Sequence, residues 1–370
     1  MRNHGRALFA FGALVLTAFL IHPSAQQQQP QQQQQQPPKK TKEQEKLEKT
    51  LQAEIQALVQ VVDQVAAGQQ AAPADLPITF ENHYLKARDE RTFSPFVITV
   101  PSETIQAQTV LLYFRLVKKD GAPPAEAAAQ KPEGQKDQQA QPKQYAFEDV
   151  HGITVPPAKP AQPHRFMRAF AVAGGEYEML LALRERLPQG KKPDPKAPPK
   201  TTVVRKPITV PDYWNGALAT SSVILADSVE QLEAAPTEQQ MVTHPYIFGM
   251  TRLTPAVDNV FTKAENVSML FLVYNTQLDE AKKPDVQVDY NFHQVLDSGE
   301  KFFNRTEPQV FNAKTLPPQF DPSVGHQIVG GQEIPLASFP EGKYRLEIKV
   351  TDKLAKQTVV ANIPFAVQPG

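Results

Sequence analysis

Two short stretches carry the side chains best suited to holding a ligand. Between Leu187 and Lys200 the chain reads LPQGKKPDPKAPPK, in which Lys191, Lys192, Lys196 and Lys200 face one acid, Asp194. Clustered ammonium groups on an exposed loop can hold an anionic glycan, a lipid head group or an acidic protein, although the same composition suits a solvated, proline-stiffened tongue with no ligand. The second stretch, Pro211-Asp212-Tyr213-Trp214-Asn215-Gly216, contains the only tryptophan. Exposed, Tyr213 and Trp214 can anchor a partner or stack on a sugar; buried, they form an aromatic wedge between two domains.

Residues for bond-breaking chemistry are scattered. The eight histidines (His4, His22, His83, His151, His164, His244, His293 and His326) show no HExxH and no pair at metal-ligand spacing. No GxSxG elbow is present, and Gly330-Gly331 lacks the Lys and Ser/Thr of a phosphate loop. Asp289, Asp297 and Asp321 lie on separate segments rather than in one calcium loop. The absence of cysteine excludes disulfides, thiolate zinc sites and a cysteine nucleophile. No catalytic residue, metal or cofactor is therefore expected, although a site built from distant carboxylates leaves no trace in a sequence. With 39 basic and 39 acidic residues among 370, the chain has no positive excess for nucleic acid.

The elements that would position these residues divide the chain. Residues 1–25 read as a signal peptide, with basic Arg2 and Arg6, an apolar run from Ala7 to Ile21 and small residues at Ser24 and Ala25. An uncleaved anchor is the alternative, and no later stretch is long and apolar enough to span a bilayer. Residues 26–38 form a disordered Gln/Pro spacer. Over 39–68, Leu47, Leu51, Ile55, Leu58, Val62 and Val65 fall on one helical stripe, with Gly68 as a stop. This amphipathic helix offers a coiled-coil seam to a second copy, giving a homo-oligomer through residues 47–65, or a docking stripe to its own β domain or another partner.

After Pro73 the period shortens to two. Short apolar or alternating runs at 96–100, 109–117, 166–172, 177–183 and 202–210 predict one β-sandwich over 76–210, interrupted by disordered insertions at 120–144 and 187–200. Runs at 222–226, 268–274, 286–292, 344–350 and 358–367 predict a second over 217–370. The clearest is Tyr344 to Val350, with Tyr344, Leu346, Ile348 and Val350 on one face and Arg345, Glu347 and Lys349 on the other.

The two β regions read as a tandem repeat. Gly175-Glu176-Tyr177-Glu178-Met179 aligns with Gly342-Lys343-Tyr344-Arg345-Leu346, and Val110–Phe114 aligns with Met269–Val273. A glycine turn feeding a core-edge tyrosine suggests the immunoglobulin-type corner, in which the hydroxyl bonds back to nearby backbone. The run from Pro340 to Lys353, with Pro335–Phe339 before it and Ser222–Ala226 upstream, resembles exported bacterial immunoglobulin-like proteins of unknown function. Some of those relatives also carry a module named for a GWxTD motif, which is absent here. The resemblance covers about residues 200 to 370 and implies a β-sandwich and an exported location, with no reaction and no site residues.

The expectation is thus a mainly β, non-enzymatic protein of the periplasm or medium, with two tandem immunoglobulin-like sandwiches and a binding, adhesion or scaffolding role. Its partner would be an envelope protein or glycan rather than nucleic acid, with no membrane span after signal cleavage. The competing class is an envelope-polymer hydrolase whose site is assembled at the inter-domain junction near Trp214.

Overall fold

The computed structural model describes residues 41–119, 145–159, 162–188, 194 and 196–370. The expected signal peptide, the glutamine spacer, the insertion at 120–144, and Lys191 and Lys192 lie outside the described residues.

Helix α1 runs over Lys42–Ala66. Thr41 caps it in a reciprocal capping box with Gln44. At its other end Gly68 takes φ +70°, and the Gly68 and Gln69 amides bond back to the Val65 and Gln64 carbonyls, a Schellman stop.

Eight strands follow: β1 (Thr79–Asn82), β2 (Leu85–Lys86), β3 (Arg91–Val100), β4 (Thr109–Lys118), β5 (Phe147–Thr154), β6 (His164–Ala173), β7 (Gly175–Glu185) and β8 (Thr201–Val210). They form two sheets, one with β3 paired to β1, β2 and β6, the other in the order β5-β4-β7-β8. Between the sheets lie Phe96, Ile98, Phe114, Phe170, Met179 and Leu181. The Phe96 and Phe170 rings stack on Phe114 at 4.9 and 5.2 Å.

The second half contributes β9 (Ala219–Thr220), β10 (Ile224–Gln231), a short helix α2 (Glu238–Thr243), β11 (Ile247–Phe248), β12 (Thr251–Pro255), β13 (Val260–Thr262), β14 (Asn266–Tyr274), β15 (Val286–Leu296), β16 (Gly299–Arg305), β17 (Gln309–Phe311), β18 (Ile328–Pro335), β19 (Gly342–Asp352) and β20 (Gln357–Gln368). One sheet runs β11-β12-β10-β14-β18, the other β13-β20-β19-β15-β16. Phe271, Val288, Tyr290, Phe292, Leu346 and Ile348 fill the space between them. The chain is therefore mainly β and built as two sandwiches.

Their wiring repeats. β5-β4-β7-β8 in the first half and β16-β15-β19-β20 in the second have the same order and the same antiparallel pairing. β7 and β19 both open on a glycine with positive φ, Gly175 at +150° and Gly342 at +143°. Two residues on, Tyr177 donates its hydroxyl to the Ala173 carbonyl at 2.9 Å, and Tyr344 donates to the Pro340 carbonyl at 2.6 Å. Both bonds reach back four residues, as the corner motif requires.

One alignment needs correcting. Val110–Phe114 lies in β4, beside the corner strand β7, whereas Met269–Val273 lies in β14, in the sheet opposite the corner strand β19. The counterpart of β4 is β15. β4 and β14 look alike in sequence because both are covered on two faces, and a doubly buried strand loses its alternation. Leu111 and Tyr113 of β4 face α1, while Leu270, Leu272 and Tyr274 of β14 face the first sandwich.

α1 lies on the outer face of β4, β7 and β8. Leu58, Val62 and Val65 are buried against Leu111, Tyr113, Leu180, Ala182 and Val203. This is the own-domain docking that the stripe allowed, while Leu47 near the start of the helix stays 46% exposed. Three arginines fix the helix. Buried Arg115 bonds Asp63 at 2.6 Å, Arg186 bonds Glu54 at 2.6 Å, and Arg205 donates to the Val65 and Ala66 carbonyls at the negative end of the helix.

The two sandwiches meet through sheet faces. Val97 of β3 and Met167 of β6 pack against Ile224, Ala226, Tyr246, Leu253 and Leu270. The Tyr246 hydroxyl donates to the Pro95 carbonyl at 3.1 Å and lies 2.9 Å from His83 Nδ1. Arg165 bonds Asp227 at 2.8 Å. The Tyr84 and Ser222 backbones are also joined, by a 2.9 Å bond from the Ser222 amide to the Tyr84 carbonyl.

Candidate functional site

The two candidate stretches from the sequence fare differently. Of the four lysines, Lys196 sits in an exposed turn whose amide bonds the Asp194 carboxylate at 2.9 Å, and Lys200 donates its ammonium to the Thr104 carbonyl at 2.8 Å. Lys200 is thus bonded to the fold.

The Pro211–Gly216 stretch is the link between the sandwiches. Thr92 donates to the Pro211 carbonyl at 2.7 Å, and Asn275 donates to the Tyr213 and Ala217 carbonyls at 3.0 and 2.8 Å. Asp212 and Asn215 each accept the amide two residues on, at 2.8 and 2.9 Å, and Gly216 takes φ +81° to complete the turn.

Within this turn, adjacent aromatics take the two roles that the sequence left open. Tyr213 is the wedge: it is buried, its ring lies 5.1 Å from that of Tyr274, and its hydroxyl donates to the Tyr84 carbonyl at 3.3 Å. Burial holds its phenol well above the ordinary value. Trp214 is the exposed partner, with 42% of its surface open. Its ring is nevertheless fixed, because Nε1 donates to the Arg91 carbonyl at 3.2 Å and the Lys86 ammonium sits 4.3 Å from the ring centroid. Lys86 in turn donates to Asn275 Oδ1 at 2.8 Å, and burial lowers its pKa against the opposing pull of Asp212.

Trp214 forms part of the wall of a groove of about 740 Å³ at the junction. Lys86 and Arg88 line it from the first sandwich; Asn275, Val324 and His326 line it from the second. The segment from Phe320 to Ile328 is shaped by Asp321, which accepts the Ser323 amide at 2.8 Å, and by Gly325 at φ +96°. The Ser323 bonds, led by its hydroxyl, hold the Asp321 carboxyl below the usual range, and its own amide donates to His326 Nδ1 at 2.9 Å. Among the described residues the titratable groups of the lining are Lys86, Arg88, Tyr274 and His326, and none is a carboxylate. A fixed aromatic face beside basic groups suits a ligand that combines an apolar ring face with negative charge.

Sequence reasoning missed Lys86, Arg88, Asn275, Val324 and His326. They come from three separated segments, and the only local signal was the turn-prone Asp321-Pro322-Ser323-Val324-Gly325. Among the described residues no three His, Cys, Asp or Glu side chains gather as a metal site, and no helix is long and apolar enough to cross a membrane.

No protein-family profile and no curated protein matches the chain. Several solved bacterial structures are similar in part. An alpha-2-macroglobulin of Salmonella, reacted with methylamine, is 14% identical over 80% of this chain and 17% of its own, with a TM-score of 0.21. An immunoglobulin-like protein of Pseudomonas aeruginosa is 12% identical over 40% of this chain and 97% of its own, with a TM-score of 0.20. A DUF4785 family protein of Legionella pneumophila is 7% identical over 79% of this chain and 57% of its own, with a TM-score of 0.23. This chain therefore spans about a sixth of the macroglobulin's length.

Proposed function

We propose that this is an exported, non-enzymatic binding protein of the bacterial envelope, and that the junction groove holds a segment of acidic polysaccharide. The observation that carries the reading is Trp214: it is the one tryptophan, open to solvent, held by its own Nε1 bond and flanked by Lys86 in a groove whose charged lining is basic. Its indole offers a flat apolar face for a sugar ring, Lys86 and Arg88 offer charge to a uronate, and His326, whose Nδ1 accepts the Asp321 amide, offers an Nε2 donor. The groove volume falls within the span usual for small-ligand sites. Export rests on the sequence pattern at residues 1–25. The hydrolase alternative calls for positioned acids in this groove, and no described lining residue is Asp or Glu.

Isothermal titration of the full chain with a galacturonic acid tetrasaccharide, and with its neutral galactose counterpart, tests the reading. The acidic sugar binds and the neutral one binds at least about tenfold more weakly, since a charge-assisted bond is worth roughly 1.5–3 kcal/mol. Trp214→Ala abolishes binding while the chain stays folded by circular dichroism, at a stability cost of about 1 kcal/mol for the lost Nε1 bond. Equal binding of both sugars, or full binding by Trp214→Ala, contradicts it.

A further inference from the structure

A second cavity lies between residues 46–57 of α1 and the end of β7, independent of the junction groove. It has a volume of about 390 Å³. Its apolar wall comes from Ala53 and Ala57 on the helix, Leu111 on β4 and Leu187 just past β7. The cavity exists because α1 presents alanines here; larger side chains at 53 and 57 would fill it.

The charges around this cavity are unbalanced. Its two carboxylates are already used: Glu54 bonds Arg186 at 2.6 Å, and Glu185 accepts the Gln106 and Ala107 amides at 2.6 and 3.3 Å. Among the described residues its cations are Lys46, Lys49 and Arg184. Arg184 is half-buried and makes no hydrogen bond or ion pair within 4 Å among the described residues; burial lowers its pKa, with Glu54 opposing. Its neighbours Arg115, Arg186 and Arg205 on the same sheet all bond α1 or its acids. A half-buried guanidinium with no bonded partner among the described residues has its donors free for a bound anion. Lys46 and Lys49 sit at i and i+3, and with Ala53 and Ala57 they line the same side of the helix facing the cavity.

We propose that this helix–sheet cavity binds an anionic amphiphile, with the head group on Arg184 and the two lysines and the chain against Ala53, Ala57, Leu111 and Leu187. The test is calorimetric titration of the full chain with decanoate, below its micelle concentration, alongside 1-decanol and inorganic phosphate. Decanoate binds one to one, while decanol and phosphate each bind at least about tenfold more weakly, because each lacks one half of the recognition. Arg184→Gln weakens decanoate about tenfold or more and leaves the junction sugar titration unchanged. The exposed double variant Lys46→Gln/Lys49→Gln weakens it as well, and it decides the matter if Arg184→Gln does not fold. The proposal fails if decanoate gives no saturable heat, if phosphate binds as tightly as decanoate, or if the lysine variant binds decanoate like the parent.

Discussion

Leu180 and Glu347 hold equivalent places, each three residues beyond the tyrosine that closes its corner, yet Leu180 is fully buried while Glu347 pairs with Arg345 at 3.3 Å. The difference follows from α1. In the first sandwich the outer face of the β4–β7 sheet is apolar, through Leu111, Tyr113, Leu180 and Ala182, and the helix covers it. In the second the same face carries Arg345, Glu347 and Lys349, and Arg345 forms a two-point bond to Glu300, Nε to Oε1 at 3.0 Å and Nη2 to Oε2 at 2.7 Å.

The helix is therefore part of the first sandwich's core. Leu58→Ala, at a fully buried position, should cost about 2–5 kcal/mol. Leu47→Ala, on the same stripe but 46% exposed, should cost less than about 0.5 kcal/mol. Denaturant unfolding of the two variants checks the contrast, and equal costs would mean that α1 is not docked as described.

The paired corners make a second prediction. Tyr177→Phe and Tyr344→Phe each remove one hydroxyl bond to backbone, and each should cost about 1 kcal/mol. Similar penalties support two copies of one device. A cost at one site and none at the other would leave only one working corner.

Much of this was legible in advance. Strict alternation from Tyr344 to Val350 announced a strand with one wet face, and Gly-x-Tyr announced both corners. The apolar outer residues Leu180 and Ala182 were also in plain view; they signal that something covers β7, and the α1 stripe is what covers it. The groove was harder to read. Trp214 stood out as the sole tryptophan, but Lys86, Arg88 and His326 reach it only through sheet packing between the sandwiches, which no local spacing encodes. Strand β5, with a polar edge and intermediate burial, lacks the contrast that makes alternation visible.

The inter-domain contact should weaken in acid. His83 lies against Tyr246, and burial pushes its imidazole down to about 4 from an ordinary 6.5. A folded-state pKa below the unfolded one means that the unfolded chain takes up the proton first. The stabilisation is complete above pH 6.5 and is lost as pH falls towards 4, by roughly 3 kcal/mol at most. Glu81 also titrates upward of its usual range, mainly through burial and then Asp258, with Arg165 and Lys206 opposing. Comparing the parent with His83→Gln removes that background. The pH dependence of the melting temperature between 4 and 6.5 should be shallower in His83→Gln, and parallel curves would contradict the assignment.

Because Trp214 is the only tryptophan, its emission reports on the junction groove alone. The central claim is tested most directly by exciting this indole while titrating the full chain with a galacturonic acid oligosaccharide. A saturable change in emission, lost on raising the salt and absent with neutral galactose oligomers, is the predicted result. An unchanged spectrum at saturating sugar would show that the groove does not hold this class of ligand.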